Sequence, residues 1–380
     1  MSGDEFEQRP GLAALFARQA RASSENGSRL YAEICQAASL DLATTSSLGH
    51  VLEPWRGSRA GDMLPLRVLG AAHRLVLERE APALALWFPS VGGTAPSNAL
   101  GRGACYAAWV DALVEHAARL PHLLANPPQT NDPGRSAALA GVLHLVADAW
   151  RLPIRLHELG ASAGLNLRAD LVRVEWSGGG VGPHDSPLRL TDAWAGSPLP
   201  PYAVGPIVVE RVGCDLDPVD VSTTEGRLHL TSFVWPDQAE RFERLRAAYA
   251  LADATPVQLQ RGDLVAHLDQ LSPEPGTALV VWHSSTWMYL DEAHRARAHE
   301  SFERLGALAR GEAPVVHVAR EYLGDRMDSA FAVVARWWPV PDSMAALGVG
   351  TGDAVQLADS PAHGLPVTWV APRTVVLEDL

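Results

Sequence analysis

Arg155-Leu156-His157-Glu158-Leu159-Gly160-Ala161-Ser162-Ala163-Gly164-Leu165-Asn166-Leu167 reads as a strand, a turn of small residues and the start of a helix. Led by Glu158 it spells E-x-G-x-S-x-G, a variant of the loop that cradles a nucleoside cofactor. Centred on Ser162 it spells G-x-S-x-G, the nucleophile elbow of serine esterases. The rest of the chain has to decide between them.

Composition narrows the field. With 380 residues and 47% hydrophobic content, the chain can bury one large domain or two ordinary ones. Cys35, Cys105 and Cys214 are far apart, with no C-x-x-C pair and no histidine at zinc spacing, so reduced thiols and no metal site are expected. Met1 to Pro10 carries Asp4, Glu5 and Glu7 and lacks the apolar segment of a signal peptide, which points to a cytoplasmic protein. No apolar run approaches the ~20 residues that span a bilayer. A net charge of −13 argues against nucleic acid and anionic membranes as partners and favours a small-molecule substrate. All 31 basic residues are arginine. That excludes Schiff-base chemistry, the P-loop and the protein-kinase site, each of which needs a lysine.

Residues 1–150 read as a helical region, with Leu12 to Ala22, Leu64 to Glu80, Tyr106 to Leu120 and Ser136 to Trp150 as its main segments. Breaks fall at Pro54, Pro89 to Pro96 and Asn126 to Gly134, and Leu84 to Phe88 is the single candidate strand. Residues 151–380 alternate short apolar runs with helical stretches, the grammar of an α/β sheet. The runs are Ile154 to His157, Val208 to Gly213, Val257 to Gln260, Ala278 to His283 and Pro314 to Ala319. Phe331 to Trp338 and Pro366 to Val370 come next as an expected antiparallel closing pair, giving seven strands. Helices are expected from about Pro236 to Ala252 and Glu292 to Leu308. A Gly- and Pro-rich segment, 172–205, interrupts the rhythm as an inserted hairpin, with short strands at Val172 to Trp176 and Leu188 to Leu190.

Small residues at Gly160, Ser162 and Gly164 allow close backbone approach, and a helix opening after them offers free N–H groups at the positive end of its dipole. Glu158 ends the strand where a carboxylate meets a cationic amino-acid ligand. The second run ends at Asp215, placed to take ribose hydroxyls; its spacing exceeds the ~20 residues of the usual fingerprint because the hairpin intervenes. Gly262-Asp263-Leu264 comes after the third run, where a carboxylate reaches an adenine amino group. His283, with Ser284 and Ser285, ends the fourth. Each aspartate alone is ordinarily a turn or cap residue. Their common place at successive strand ends favours the reading from Glu158.

The esterase reading has Ser162 on a strand-to-helix turn and His363 late in the chain, with Asp325, Asp328 or Asp353 as the acid. Against it stand a charged Glu158 beside the elbow, a helical rather than strand-rich region upstream, and no oxyanion segment closer than Val91-Gly92-Gly93-Thr94.

Taken together, Glu158 to Gly164, Asp215, Gly262-Asp263 and the end of the fourth run resemble class I S-adenosylmethionine (SAM)-dependent methyltransferases, from about Pro153 to the C-terminus. The whole chain also looks like a bacterial family of unknown function. That likeness rests on Thr130-Asn131-Asp132-Pro133-Gly134-Arg135-Ser136, Glu158 to Leu167, Arg211 to Pro218 and Trp235 to Arg241. The methyltransferase resemblance implies a Rossmann-like, mostly parallel seven-stranded sheet with SAM as cofactor. It would be held by Glu158, Gly160, Ser162, Gly164, Asn166, Asp215, Gly262, Asp263, Leu264 and His283. Ser162 in place of the central glycine, and the insertion before Asp215, depart from the common methyltransferase pattern.

The helical region is expected to lie as a lid over that site. Methyl transfer chiefly needs positioning, because SAM brings an activated electrophile. Asn131 and Arg135 are candidates to orient a carboxylate or amide, and His283 is the candidate general base. The structural readings beside these are a helix cap at Ser136 and a core histidine. Three further alternatives are transfer or cyclisation of the aminocarboxypropyl arm of SAM, a serine esterase, and a SAM-binding protein without catalysis.

Overall fold

Short β-branched runs and amphipathic helices build two units in the computed structural model, which describes residues 9–125, 127–196, 203–323 and 331–376. The longer helices are α1 (Leu12–Glu25), α2 (Arg29–Asp41), α3 (Leu64–Leu77), α4 (Ala99–Glu115), α5 (Ser136–Trp150), α6 (Thr224–Ser232), α7 (Ala239–Ala254), α8 (Leu264–Gln270) and α9 (Glu292–Leu308). None of the described helices is long and apolar enough to cross a membrane.

The helical unit comprises the chain up to Thr130 together with Thr223–Glu243. Polar side chains cap its helices: Ser28 accepts from Tyr31 N–H, Asn98 from Gly101 N–H and Thr223 from Gly226 N–H. Phe16, Tyr31, Phe88, Trp109 and Trp235 anchor its core. The excursion 223–243 belongs here because its polar groups are met here. Asp237 accepts from Ser28 Oγ at 2.6 Å and from Leu30 N–H at 3.0 Å. His73 is buried with Nδ1 3.1 Å from the Ser232 carbonyl. Leu84 to Phe88, a strand in the sequence reading, is in fact part helix: proline at the first position opens a short turn, Pro82–Ala85.

The second unit, Asn131–Ser222 and Arg244–Leu380, holds the sheets. Residues 131–150, grouped with the N-terminal helices by composition, therefore lie with the strands. Its strands are β1 (Ile154–Leu159), β2 (Arg173–Trp176), β3 (Gly179–Val181), β4 (Arg189–Leu190), β5 (Trp194–Gly196) and β6 (Val208–Asp215). They continue with β7 (Gln258–Arg261), β8 (Ala278–Ser284), β9 (Val315–Tyr322), β10 (Phe331–Trp338), β11 (Val355–Ser360) and β12 (Val367–Thr374). The main sheet has nine strands among the described residues, in the order β5-β12-β11-β10-β9-β8-β1-β6-β7.

Strands β7, β6, β1, β8 and β9 are all parallel; β9, β10, β11 and β12 pair antiparallel, and β5 joins β12 in parallel. Numbered along the chain, the five parallel strands run 3-2-1-4-5, the doubly wound order whose reversal falls between β1 and β8. The seven-strand expectation is thus corrected to nine. Strand β11 escapes sequence reading because polar residues break its apolar run. The fold buries Gln356 by letting it donate to Asp359 at 2.7 Å and accept from Arg373. Strand β11 also separates β10 from β12, so the expected closing pair is not adjacent. In the inserted segment, β2, β3 and β4 form a separate three-stranded sheet.

Pleating sorts the strand residues into two layers. Leu159, Leu279, Val281 and Val315 face α8 and α9 in one core cluster. Glu158, one residue off, faces the other side, beside Trp282 and Asn166.

Candidate functional site

At the end of β1 the chain turns through three residues of positive φ, Gly160 (66°), Ser162 (51°) and Gly164 (61°). Glycine is required at 160 by a protein neighbour, since a Cβ there would stand 2.4 Å from Thr286 Oγ1. Ser162 holds the same left-handed backbone with a side chain, a strained state for a residue other than Gly, Asn or Asp. Beyond Gly164 the chain forms 3-10 turns, Leu165–Leu171, with Arg168 out of helical conformation, in place of the expected α-helix. Four of the loop N–H groups are already taken. Ala161 donates to the Cys214 carbonyl, Ser162 to Asp215 Oδ2, Gly164 to the Ala161 carbonyl and Leu165 to Asn131 Oδ1. A phosphate cradle needs those donors free.

Glu158 is buried, 2% exposed, with Oε1 accepting from Trp282 Nε1–H at 3.2 Å and Oε2 shielded and without a partner. Burial pushes its pKa up to about 8; Trp282, Arg135 and Asn166 oppose the shift, and Asp215 adds to it. A neutral carboxylic acid therefore stands beside the reversal point of the sheet. Ser162 Oγ is likewise buried without a hydrogen-bond partner. No histidine holds it, as a triad would require. His363 instead has Nδ1 3.6 Å from Asp132, Asp353 accepts from Gly350 N–H, and Asp325 and Asp328 lie outside the described residues.

Asp215 ends β6, its two oxygens receiving Ser162 N–H and Asp217 N–H at 2.8 Å each. Either oxygen can accept one bond more. Gly262 N–H ties the end of β7 to the Asp215 carbonyl. Asp263 caps α8, its Oδ1 accepting from Val265 and Ala266 N–H at 3.0 Å, with Oδ2 left over. Leu264 is buried in the core beneath that helix. The three carboxylates thus stand at or just beyond the ends of three neighbouring parallel strands, but two of them also hold the backbone in place.

Asn131 and Arg135 are braces. Asn131, at a φ of 30°, holds the Leu165 N–H; Arg135 donates to the Ser284 carbonyl at 3.2 Å; and Ser136 donates to Asn166 Oδ1 at 2.8 Å. One turn therefore joins the loops after β1 and β8, the two strands that flank the reversal point. Asn166 sits on this brace next to Glu158.

His283 lies in the other layer. It pairs with Leu159, not Glu158, in the register and is 0% exposed. Its Nδ1 is 2.9 Å from Glu321 Oε1 and its Nε2 is 2.8 Å from His317 Nε2, while its ring stacks on Trp287 at 4.4 Å. Glu321 also accepts from Thr286 N–H. With both ring nitrogens engaged, this histidine is placed to fix the β8 and β9 ends, and the structure does not bring it to Glu158. The donor and acceptor roles follow from the tautomer. In the tautomer that sends the Nδ1–H of His283 to Glu321, its Nε2 accepts from His317 Nε2–H. His317 Nδ1 is then a bare lone pair, in keeping with its buried, unpartnered state and a pKa held well below the ordinary value, chiefly by burial.

Arg320, at the end of β9, is also wholly buried. It donates to Ser360 Oγ, Ser284 Oγ and the carbonyls of Pro361 and Ala362, and lies 4.2 Å over the Phe331 ring. Burial, then Arg135, bring its pKa down to about 9. Sequence reading passed over Arg320 and Glu321, although they come after the fifth apolar run as Asp215 comes after the second; the same signal was present. Among the described residues no group of three His, Cys, Asp or Glu is placed to hold a metal ion.

The model of a family described as an uncharacterized protein conserved in bacteria (DUF2332) matches residues 13–369. Comparison with curated proteins gives no match.

Proposed function

The chain belongs to this bacterial family, and from that premise we propose that it binds SAM along the carboxyl edge of β1, β6 and β7 and transfers its methyl group to a small molecule. The observation that carries this reading is the row of Glu158, Asp215 and Asp263 beside the 3-10 turns, where Asp215 and Asn131 already take two N–H groups of the loop after β1. A nucleoside with a cationic amino-acid arm suits these carboxyl groups. Glu158 has a buried oxygen without a partner to offer the arm, and the spare acceptor sites of Asp215 and Asp263 suit ribose hydroxyls and an adenine amine.

When bound, SAM supplies the activated methyl group. The protein's own part is to hold and orient: Asn131 and Ser136 fix the loop, and Arg135 fixes the end of β8. Glu158, an acid near neutrality, is the group able to hold or give up a proton there.

Calorimetry with SAM and with its demethylated product tests the reading. We expect one site for each, weakened about tenfold by Asp215→Asn. A folded sample that binds neither would overturn it. Mass spectrometry of products separates methyl transfer from transfer of the aminocarboxypropyl arm.

A further inference from the structure

The helical unit contains an open groove of about 830 Å³ between α1, α2 and the start of α4. Its size is that of a small-molecule site. Ala20, Ala32, Ala37 and Gly103 are among its lining residues, and their small size leaves the space unfilled. Three arginines are among the lining residues, Arg21, Arg29 and Arg102, against one acidic residue, Glu33. In a chain of net charge −13, this is a local excess of positive charge.

Glu33 is already half used. Its Oε1 accepts from Arg29 Nε–H at 2.9 Å and lies 3.9 Å from Arg102, while its Oε2 is shielded and has no partner. A ligand that offers an N–H or O–H would satisfy that oxygen. One wall is aromatic and rigid: the Tyr106 hydroxyl donates to Asp41 at 2.9 Å, and its ring stacks on Trp109 at 6.0 Å. A fixed ring beside arginines favours a planar partner.

We propose that this groove is a second binding site, independent of the one at the sheet edge, for a planar aromatic anion that carries a hydrogen-bond donor. The arginines take the charge, Tyr106 takes the ring face, and Glu33 takes the donor.

The probe is 8-anilinonaphthalene-1-sulfonate, an aromatic sulfonate with one N–H, titrated by fluorescence into the full chain. One saturable site is expected, with affinity lowered about tenfold by Arg21→Ala/Arg102→Ala and about threefold by Arg21→Ala alone, and lowered again by added salt. Ala37→Trp, which puts a large side chain into the lining, should abolish it. Far-UV circular dichroism and an unchanged thermal midpoint establish that each variant is folded; Arg21 is exposed, so at least the single variant remains informative. Affinity that ignores Arg21 and the Ala37→Trp block, or many weak equivalent sites, would overturn the proposal. SAM titrated into the same variants should bind as to wild type, so a failure of one site is distinguishable from a failure of the other.

Discussion

Glu158 is the residue where burial and chemistry meet. An acid whose pKa the fold raises is stabilised in its protonated form. That contribution is complete below the unfolded value near 4.5 and is lost as pH rises through about 8. Glu158→Gln keeps an acceptor for Trp282 and cannot ionise. In urea denaturation the variant should match wild type within about 1 kcal/mol at pH 5 and exceed it by about 2–4 kcal/mol at pH 9. Parallel pH profiles would remove the buried acid from consideration. The same group makes a cationic ligand's affinity rise with pH: below about pH 8, SAM binding should release a proton, read by calorimetry in buffers of different ionisation heat. Sequence identified this carboxylate correctly as a strand-end residue. It could not give the protonation state, which depends on Trp282, Asn166 and Asp215 meeting around it.

At the scale of elements, the turn 131–136 matters most. Thr130 to Ser136 was legible as a polar turn before a helix, with Asn131 and Arg135 read as substrate contacts and Ser136 as a helix cap. The structure gives Asn131, Arg135 and Ser136 work within the fold, because each of the three bonds a chain segment at least 30 residues away in sequence. Asn131→Ala leaves the buried Leu165 N–H unmet and should cost about 1–3 kcal/mol. A loss under about 0.5 kcal/mol would contradict the brace. Gly160→Ala should destabilise by more than left-handed strain alone, since Thr286 occupies the space of the new Cβ. Thr286→Ala should recover part of that loss in a double-mutant cycle, and strict additivity would remove the contact as the cause. The Gly-x-Ser-x-Gly string could announce a tight turn; it could not say that a threonine on β8's loop, rather than a ligand, fills the space.

Across the whole molecule, acid lability should track buried histidines in each unit. His73 and His157 are both brought down to about 4, chiefly by burial. A base whose pKa is depressed gives stability that is present above its unfolded value near 6.5 and is lost as pH falls through the folded one. In the Glu158→Gln background, which removes the opposing titration of that acid, denaturation midpoints should therefore hold from about pH 7.5 to 6.5 and fall steadily toward about pH 4. His73→Phe should lower stability at neutral pH and flatten part of that acid limb. An acid limb identical to that of the Glu158→Gln parent would exclude His73 as a contributor.

The helices Ser136–Trp150 and Glu292–Leu308, and the five parallel runs from β1 to β9, were readable because each is a local pattern of apolar spacing ended by caps or turn residues. Strand-end carboxylates were readable for the same reason: their place is set by where an apolar run stops. Only the tertiary structure decided that β11 joins the sheet, since Gln356, Asp359 and Arg373 become tolerable in it only by bonding one another. It alone decided that Glu158 and His283, neighbours across β1 and β8 within one register step, face opposite layers. A one-residue offset in a pleated strand reverses a side chain's direction, and which strands lie side by side is settled by packing between segments distant in the chain.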